Sequence, residues 1–405
     1  MSEVDMASTA DVLIVGAGII GASIASSLAR RGTSVLILDP APASGSSLGN
    51  AGLVVPSYAT PMSTPANFKE GVTSLRSNHS AVTFGRPLTA TTLSWLPRFA
   101  AQCRPGRVAR DTKILVESAQ RSMELYKKLA AEDGLDLGLR EQGWLWLATQ
   151  PNTRQALPTV MKALSQAGGK GRVVTRAEAL EIEPGLSPDI EGGIWFPHEG
   201  VLDPEKATRI FLQDACQHGA QLLRESVQSV ERQGNFIAAV HTNRQRLQAK
   251  QFVMATGAAS RETGKLFGIS VPIEPGYGWS LTFADPQGSL QRPLMGMEDH
   301  VVVSPIPGRI RLTGGMQFGG KKLTHPPQRE IQRLVDATLR FFPTLEELEL
   351  ETTWFGARPM TPSGVPLVKR IKSSNLVVAA GRGPLGVTLA PSTAQDVTNM
   401  LLVES

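Results

Sequence analysis

The stretch VLIVGAGIIG, at positions 12–21, joins a short apolar run to a glycine-rich segment. The apolar run Val12–Val15 is typical of a buried strand, and the Ala-, Ser- and Leu-rich stretch Ile20–Arg30 predicts a helix. A second apolar run, Val35–Leu38, ends at Asp39. The order strand, tight turn, helix, strand predicts a βαβ unit in this part of the chain.

The glycines of this stretch form the pattern G-x-G-x-x-G, which binds dinucleotides when it connects a strand to a helix. Gly16 permits the tight turn, Gly18 lets the backbone approach a pyrophosphate, and Gly21 lets the helix pack closely on the strand. The helix N-terminus offers N–H groups and the positive end of its dipole to phosphate. Asp39 follows Gly21 by 18 positions, near the spacing at which a carboxylate meets ribose hydroxyls. An acid there disfavours NADP, so we expect NAD or FAD; the alternative is a glycine turn without a ligand.

Three further segments favour FAD over NAD. The segment SGSSLGNAG at 44–52 supplies hydroxyls, an amide and glycines that can surround a flavin's diphosphate and ribityl chain, although a plain turn-rich loop has the same composition. Ala255-Thr256-Gly257 follows an apolar run and offers a second close approach of the backbone. The segment GRGPLGVT at 381–388 predicts a strand-to-helix loop, whose helix N-terminus can stabilise negative charge on a reduced flavin.

The composition sets outer limits on the function. The 405 residues suffice for two domains, and 41% hydrophobic with 19% charged residues is an ordinary globular balance. Cys103 and Cys216 are too few for a disulfide framework, and no spacing suggests a metal site. The first ten residues, MSEVDMASTA, do not resemble a secretory signal. We therefore expect a cytoplasmic protein without a metal. The mild net charge of +5 gives no reason to expect a nucleic-acid partner.

Strand and helix patterns alternate near both ends of the chain, whereas the middle is mixed. Helices are predicted over Asp111–Ala131, over Leu202–Gly219, where Asp203 is a candidate cap, and over Glu330–Phe342. We infer a nucleotide-binding domain made of separated pieces at 10–85, 195–265 and 350–405. A second domain, formed by 86–194 and 266–349, is inserted between them.

Four blocks of the sequence resemble the FAD-dependent D-amino acid oxidase superfamily, and most of all its D-amino acid dehydrogenase branch. They are VGAGIIGASIA at 15–25 with Asp39, SSLGNAGLVVPSYATP at 46–61, VMATGA at 253–258, and GARPMTPSGVPLV at 356–368 with AAGRGPLGVTLAP at 379–391. The resemblance implies an α/β protein, α+β overall. Its expected parts are a discontinuous Rossmann-like, GR2-type FAD-binding domain and an inserted β-sheet substrate-binding domain.

The motifs and the resemblance together give a set of residues expected to bind FAD non-covalently. These are Gly16, Gly18, Ile19, Ile20, Gly21, Asp39, Ser46, Ser47, Asn50, Ala51, Gly52, Val227, Thr256, Gly257, Gly381, Gly383, Leu385, Gly386, Val387 and Thr388.

The resemblance also assigns the substrate site. Arg358, in the G-x-R-P block, would clamp a substrate carboxylate through two parallel hydrogen bonds. Tyr277 and, more weakly, Tyr58 would line the same site. The chain departs from its relatives at Ser363 and Lys369, and it has Arg382 where they usually have His. These departures leave the substrate range open.

The resemblance implies oxidative deamination of a small amino acid, with hydride transfer from the substrate Cα to flavin N5. The imino acid would then hydrolyse to a 2-oxo acid and ammonia, and a quinone would accept the electrons. Two alternatives remain. One is a D-hydroxyproline dehydrogenase or a glycine/sarcosine-type oxidase, and the other is a flavin-binding subunit of a multi-chain dehydrogenase.

Residues 93–113 suggest a contact with the inner face of the membrane. Leu93, Trp95, Leu96 and Phe99 are apolar, and Arg98, Arg104, Arg107, Arg110 and Lys113 follow with only Asp111 opposing them. Aromatic residues beside clustered cations bind anionic lipid surfaces. A helix whose apolar face packs inside the protein would have the same pattern.

Overall fold

A computed structural model describes residues 9–74, 82–320 and 325–402 of the chain. The strands are β1 (Thr9–Val15), β2 (Val35–Leu38), β3 (Leu53–Val54), β4 (Val82–Gly85), β5 (Trp144–Ala148), β6 (Arg172–Val174), β7 (Gly192–Phe196), β8 (Gly200–Val201), β9 (Gln221–Leu223), β10 (Val227–Gln233), β11 (Phe236–Thr242), β12 (Arg246–Met254), β13 (Glu274–Ala284), β14 (Leu294–Gly296), β15 (Val301–Ile306), β16 (Arg309–Gly319), β17 (Leu350–Met360), β18 (Leu367–Arg370) and β19 (Leu376–Ala380). The helices are α1 (Ile19–Ala29), α2 (Pro65–Ser74), α3 (Ala90–Gln102), α4 (Pro105–Ala131), α5 (Pro151–Gln166), α6 (Arg176–Ile182), α7 (Pro204–Gln217), α8 (Ser260–Leu266), α9 (Gln328–Leu339) and α10 (Ala390–Leu402). Pro56–Tyr58 and Gly383–Leu385 form short 3₁₀ turns.

The first sheet has a parallel centre in the order β9-β2-β1-β12-β19. Strand β18 pairs antiparallel with β19, and the hairpin β10–β11 joins the start of β12. Parallel strands all end at one edge of a sheet, and ligands bind beyond that edge. The loops that follow β1, β2, β12 and β19 therefore meet on one side of the molecule.

The central strands are buried on both faces, which explains why they are continuous apolar runs in the sequence. Val12 and Ile14 of β1 pack with α1, α7 and α10, whereas Leu13 and Val15 pack into the core on the opposite face. Such alternation follows from the two-residue period of a strand. Because neither face is exposed, the sequence shows no polar alternation here.

The second sheet has the order β17-β13-β16-β15-β14-β5-β7-β6, with β4 beside β16. Helix α9 packs on it, and its core includes Trp279, Leu281, Leu312 and Phe341. Strands β4 and β17 pair into this sheet, although their residues fall within the ranges predicted for the nucleotide-binding domain. The division into domains stays a prediction.

Helix α4 begins at Pro105, six residues before the start that the apolar pattern predicts. Its first turns are mostly exposed and the buried positions begin at Asp111, so periodicity alone misses them. Proline at the first helical position, where no N–H is needed, marks the true start. The helix predicted over Leu202–Gly219 begins at Pro204, and the Asp203 carboxylate accepts hydrogen bonds from the backbone N–H groups of the first turn, as predicted for its cap.

The surface predicted at residues 93–113 is less apolar than the sequence suggests. Trp95 is only 2% exposed and stacks on Phe99 and Phe318, with ring centroids 4.9 and 5.3 Å away. Leu93 is 55% exposed. The prediction that Trp95 belongs to an exposed apolar surface is wrong, because α3 packs its aromatic face against the second sheet. No helix within the described ranges is both long and apolar enough to cross a bilayer.

Candidate active site

The loops at the edge of the first sheet enclose a cavity of about 490 Å³. It extends from the turn after β1, past Asp39 after β2, to the turn after β12 and the loop after β19. Glycines make up much of its wall, so the backbone itself is presented to the cavity. This is the arrangement expected for a dinucleotide pyrophosphate at a helix N-terminus.

Two glycines of the first turn have different physical roles. Gly16 has φ +106°, and a Cβ there would lie 2.5 Å from the Ala255 carbonyl oxygen, so the adjacent strand excludes a side chain. A Cβ on Gly18 would meet no protein atom closer than Ser47 Oγ at 3.5 Å. Gly18 therefore keeps open the cavity side of the helix start.

The Asp39 carboxylate is oriented by two backbone N–H groups. Ala17 donates to Oδ2 at 2.7 Å, and Ala41 donates to Oδ1 at 2.8 Å. The side chain thus connects the glycine turn to the segment after β2 while lining the cavity. A carboxylate fixed in this way can also accept hydrogen bonds from ligand hydroxyls, because each oxygen has a second lone pair.

The segment 44–52 is held against the rest of the site by its own polar side chains. Ser46 Oγ donates to the Ala357 carbonyl, and Ser47 Oγ accepts from Ile19 N–H at 3.1 Å. Asn50 Nδ2 donates to the Pro384 carbonyl at 3.2 Å. The hydroxyls and the amide predicted to surround a flavin therefore also tie this loop to β17, α1 and the loop after β19.

Most of the predicted cofactor residues lie together at this edge. The first cavity is lined by Gly16, Gly18, Ile19, Ile20, Asp39, Ser46, Ser47, Asn50, Val227, Thr256, Gly257, Gly381, Gly383, Gly386 and Val387. Ala51, Leu385 and Thr388 line the adjoining cavity described below.

Two of the predicted cofactor glycines do not line either cavity. A Cβ on Gly21 would lie 1.8 Å from the Gly16 carbonyl oxygen, so Gly21 serves helix-to-strand packing, as the pattern predicts. Gly52 has φ +77°, and a Cβ there would lie 1.9 Å from the Leu202 carbonyl oxygen. Gly52 therefore packs against the chain before α7, and its predicted contact with the cofactor stays a prediction.

A second cavity of about 270 Å³ shares Ser46, Asn50 and Gly383 with the first. Its other walls come mainly from the second sheet and from the segment around Tyr58. The two cavities therefore form one site with a larger compartment at the first sheet and a smaller one at the second sheet.

Arg358 lies on the wall of the smaller cavity, and its Nη1 donates to the Gly315 carbonyl oxygen at 2.5 Å. Its guanidinium lies over Gly278, where a Cβ would be 2.2 Å from Nη1. Burial lowers the pKa of Arg358 to about 10, so the group is still cationic at neutral pH. Among the described residues that line this cavity there is no Asp or Glu, and a carboxylate ligand would supply the missing opposite charge.

Tyr277 does not line the smaller cavity, which corrects its predicted role. In the antiparallel pair β13–β17, Tyr277 is opposite Ala357, and its ring stacks on Phe355 with centroids 5.4 Å apart. Side chains of a strand alternate between its two faces, so Tyr277 and Arg358 point to opposite sides of the sheet. Tyr58 does line the cavity, packed edge-on against Trp144 and Trp146, and burial raises the pKa of its phenol.

Sequence reasoning missed the other aromatic walls of this cavity. Trp354 lines it beside Arg358, and a Cβ on Gly49 would lie 1.9 Å from the Trp354 ring. Trp144 and Met295 line it from β5 and β14. Trp354 could have been found, because it lies four positions before Arg358 on the same strand and therefore on the same face.

Arg382 is a second buried cation at the site. It lines the larger cavity, is 3% exposed, and donates through Nε to Thr393 Oγ1 at 2.8 Å. Its two terminal nitrogens are buried without a hydrogen-bond partner among the described residues. Burial lowers the pKa of Arg382 to about 9, which leaves it cationic at neutral pH. A buried charge of this kind fits an anionic or carbonyl-bearing ligand.

Comparison with known proteins agrees with this geometry. The model of the family FAD dependent oxidoreductase (DAO) matches residues 11–400. The chain is 30% identical over 403 residues to the D-amino acid dehydrogenase of Dechloromonas aromatica (strain RCB), covering 96% of each protein. It is 28% identical to that of Rhodopseudomonas palustris (strain HaA2), covering 96% of the chain and 93% of the relative.

Solved structures share the fold. Glycine oxidase from Geobacillus kaustophilus superimposes with a TM-score of 0.77 at 23% identity, covering 97% of this chain and 95% of that one. L-proline dehydrogenase from P. horikoshii gives a TM-score of 0.74 at 23% identity, covering 99% and 95%. The family match gives FAD as the cofactor. The open backbone at Gly18, the Asp39 carboxylate and the Arg382 guanidinium are chemically suited to its pyrophosphate, its ribose and its polar ring atoms, and their contacts with FAD stay predictions.

Comparison of the variants Gly18→Ala and Gly21→Ala distinguishes an effect on FAD binding from an effect on the stability of the fold. The Gly18 methyl meets little protein, so we expect an unchanged melting temperature of the apoprotein and FAD binding weakened at least tenfold. The Gly21 methyl collides with backbone, so we expect a stability loss of about 1–3 kcal/mol in addition to FAD loss. Thermal unfolding of apoprotein and the flavin released by acid from holoprotein measure the two effects. A Gly18→Ala protein that binds FAD as the parent does would contradict this role.

Proposed function

The chain belongs to the family of FAD-dependent oxidoreductases, and from this premise we propose that it oxidises the Cα–N bond of a small amino acid. The D-amino acid dehydrogenases among its relatives support this substrate class, since they match the chain over nearly its whole length. The smaller cavity supports a small substrate, because its volume is about 270 Å³. The product would be an imino acid, which water converts to a 2-oxo acid and ammonia.

The observation that carries the proposal is the environment of Arg358. Its only hydrogen bond to the described residues goes to the Gly315 carbonyl, and the cavity around it holds no acid among those residues. A planar guanidinium can bind a carboxylate through two parallel hydrogen bonds. The substrate carboxylate would therefore be fixed at Arg358, with its Cα directed toward the shared wall of the two cavities.

Bound FAD supplies the two-electron acceptor for this chemistry. The chain's own residues orient and enclose the substrate. Arg358 holds the carboxylate, while Tyr58, Trp144 and Trp354 form apolar walls that exclude water from the reacting carbon. The described residues that line this cavity include no Asp or Glu, and His300 is the lining residue whose imidazole could accept a proton from the substrate amine.

Arg358→Lys should weaken substrate binding while FAD stays bound, because lysine cannot make the two parallel hydrogen bonds. The expected loss is on the order of 2–3 kcal/mol, or roughly 30- to 150-fold in kcat/KM. Arg309→Lys is a matched control, because Arg309 lies on the same sheet but pairs with Glu351 at an exposed position. Steady-state kinetics with a dye acceptor, together with the flavin content, measure the effect. Unchanged kcat/KM in Arg358→Lys would remove Arg358 from the clamp role.

We expect electrons to leave to a quinone or dye rather than to oxygen, as the dehydrogenase relatives suggest. Under anaerobic conditions, a small D-amino acid such as D-alanine should bleach the bound FAD, and an added quinone should restore its colour faster than air does. The L-enantiomers, cis-4-hydroxy-D-proline and sarcosine test the alternative substrates in the same assay. Peroxide formed in step with substrate loss in air would reverse the acceptor assignment, and no bleaching by any of these compounds would contradict the proposed function.

If a quinone accepts the electrons, the protein would gain from binding to the membrane that holds the quinone. An exposed surface of α2, α3 and α4 supports such binding. Phe68 is 40% exposed and Leu93 is 55% exposed, and the exposed cations Arg98, Arg104 and Arg107 lie on α3 and at the start of α4. An exposed cation beside an anionic bilayer contributes about 1 kcal/mol. The chain would then bind the cytoplasmic face peripherally.

The triple variant Arg98→Gln, Arg104→Gln, Arg107→Gln should lose about 100-fold in affinity for phosphatidylserine vesicles at low ionic strength. Arg244→Gln is the control, because Arg244 is exposed in the turn between β11 and β12 of the first sheet, outside this surface, and should change binding little. Vesicle flotation at low and high salt measures both. Equal flotation of the parent and the triple variant would exclude this surface.

A further inference from the structure

The turn Pro56–Tyr58 borders two cavities. Tyr58 lines the smaller cavity of the active site, whereas Pro56 and Ser57 line a separate cavity of about 480 Å³. We name the latter the Glu199 cavity. Its charged wall also includes two further acids and several cations, namely Arg121, Glu124, Lys127, Glu141 and Lys170, and His198 and Glu199 complete it. None of the described residues that line the larger or the smaller cavity of the active site belongs to this wall.

Glu199 is the buried group of this cavity, with 1% of its surface exposed. Its Oε1 accepts a hydrogen bond from the Ser57 backbone N–H at 3.1 Å, but Oε2 is buried without a partner among the described residues. Burial raises the pKa of the carboxyl to about 7. A buried carboxyl oxygen without a partner costs free energy. A cationic ligand would ionise the carboxyl and pair with it.

The other charges of the wall are mostly paired with each other or with neighbours. Arg121 pairs with Asp396 at 2.7 Å, and Lys127 pairs with Glu141 at 2.9 Å. Lys170 differs, since its exposed ammonium has no ion-pair partner in the described part of the chain. The backbone N–H of Lys170 donates to Ser57 Oγ at 3.0 Å. The backbone at Lys170 therefore lies beside the turn Pro56–Tyr58, whose Ser57 also bonds to Glu199.

We propose that the Glu199 cavity binds a free α-amino acid, with the ligand ammonium group on the Glu199 carboxylate and the ligand carboxylate on Lys170. Glu199 is a buried acid and Lys170 is an exposed cation, and neither has a charged partner in the described part of the chain. Together they match the two charges of a zwitterion. A simple amine would satisfy only Glu199, and a simple carboxylate only Lys170. The cavity volume accommodates an amino acid with a side chain of ordinary size.

Binding at this cavity would act on the active site through the turn Pro56–Tyr58. Ser57 Oγ accepts from the Lys170 backbone N–H, and the Ser57 backbone N–H donates to Glu199 Oε1. The two residues that would contact the ligand, Glu199 and Lys170, are therefore both bonded to Ser57. The next residue, Tyr58, packs on Trp144 and Trp146 and lines the substrate compartment. The ligand would therefore be an effector, and this consequence, unlike the binding itself, rests on the proposed function.

Calorimetric titration of 2-aminoisobutyrate into holoprotein carrying Arg358→Met tests the site. This amino acid has no Cα hydrogen and is not oxidised, and the background substitution removes the clamp of the substrate compartment. We expect one saturable site, weakened at least tenfold by Glu199→Gln and by Lys170→Met. Glu347→Gln, at an exposed position, is the control and should leave binding unchanged.

Methylamine and acetate, titrated separately, should each bind at least tenfold more weakly than 2-aminoisobutyrate. Equal binding of methylamine would overturn the zwitterion assignment, and so would binding that neither Glu199→Gln nor Lys170→Met changes. Lys170 is exposed, so its variant is informative even if Glu199→Gln fails to fold. Because no turnover is measured, a protein that does not oxidise amino acids can still pass this test, and failure here leaves the proposed function intact.

Discussion

The parallel centre of the first sheet brings the cofactor residues together. Strands β1, β2, β12 and β19 run in one direction and end at one edge. Four loops far apart in the sequence are therefore forced to meet, and they carry the glycine turn, Asp39, Thr256 and the Gly381 segment. The approach of β12 to the first turn is so close that Gly16 has no room for a side chain, because a Cβ there would lie 2.5 Å from the Ala255 carbonyl oxygen. The cofactor site depends on this packing.

The second sheet adds most of the walls of the smaller cavity, and the cation of that cavity comes from β17. Strand β17 carries Trp354 and Arg358 on the face that meets the segment 44–52. Glycines make this possible, since Gly278 leaves room for the guanidinium and Gly49 leaves room for the Trp354 ring. A cation with few protein partners is thus placed beside the cofactor compartment, where the charge of a carboxylate ligand would stabilise it.

Charge is distributed by burial rather than by the overall composition. Among the described residues that line the three cavities, Arg358, Arg382 and Glu199 have a pKa that burial shifts far from the ordinary value, to about 10, about 9 and about 7. Each lines one of the three cavities. The turn Pro56–Tyr58 borders two of these cavities, with Ser57 bonded to Glu199 in one and Tyr58 packed on Trp144 in the other.

The sequence by itself determined the βαβ unit, the FAD class and Arg358 as the candidate clamp. The FAD class and the role of Arg358 rest on the resemblance of four sequence blocks to a known family, whereas the βαβ unit depends on local features: apolar runs, glycines at fixed spacing and an acid after the second strand. Strand β2 was predicted with its observed bounds, Val35–Leu38, for the same reason.

Only the tertiary structure decided which face each side chain occupies and what lies opposite it. Tyr277 and Arg358 belong to neighbouring strands, and their separation onto opposite faces follows from a pairing register that no local pattern specifies. Gly52 resembles a cofactor glycine, but Leu202, 150 positions later, determines its role. Trp95 has the pattern of a surface aromatic, and Phe318 buries it. Local sequence specifies backbone conformation and chemistry, whereas contacts between distant segments specify burial, and burial determines which charges remain for ligands.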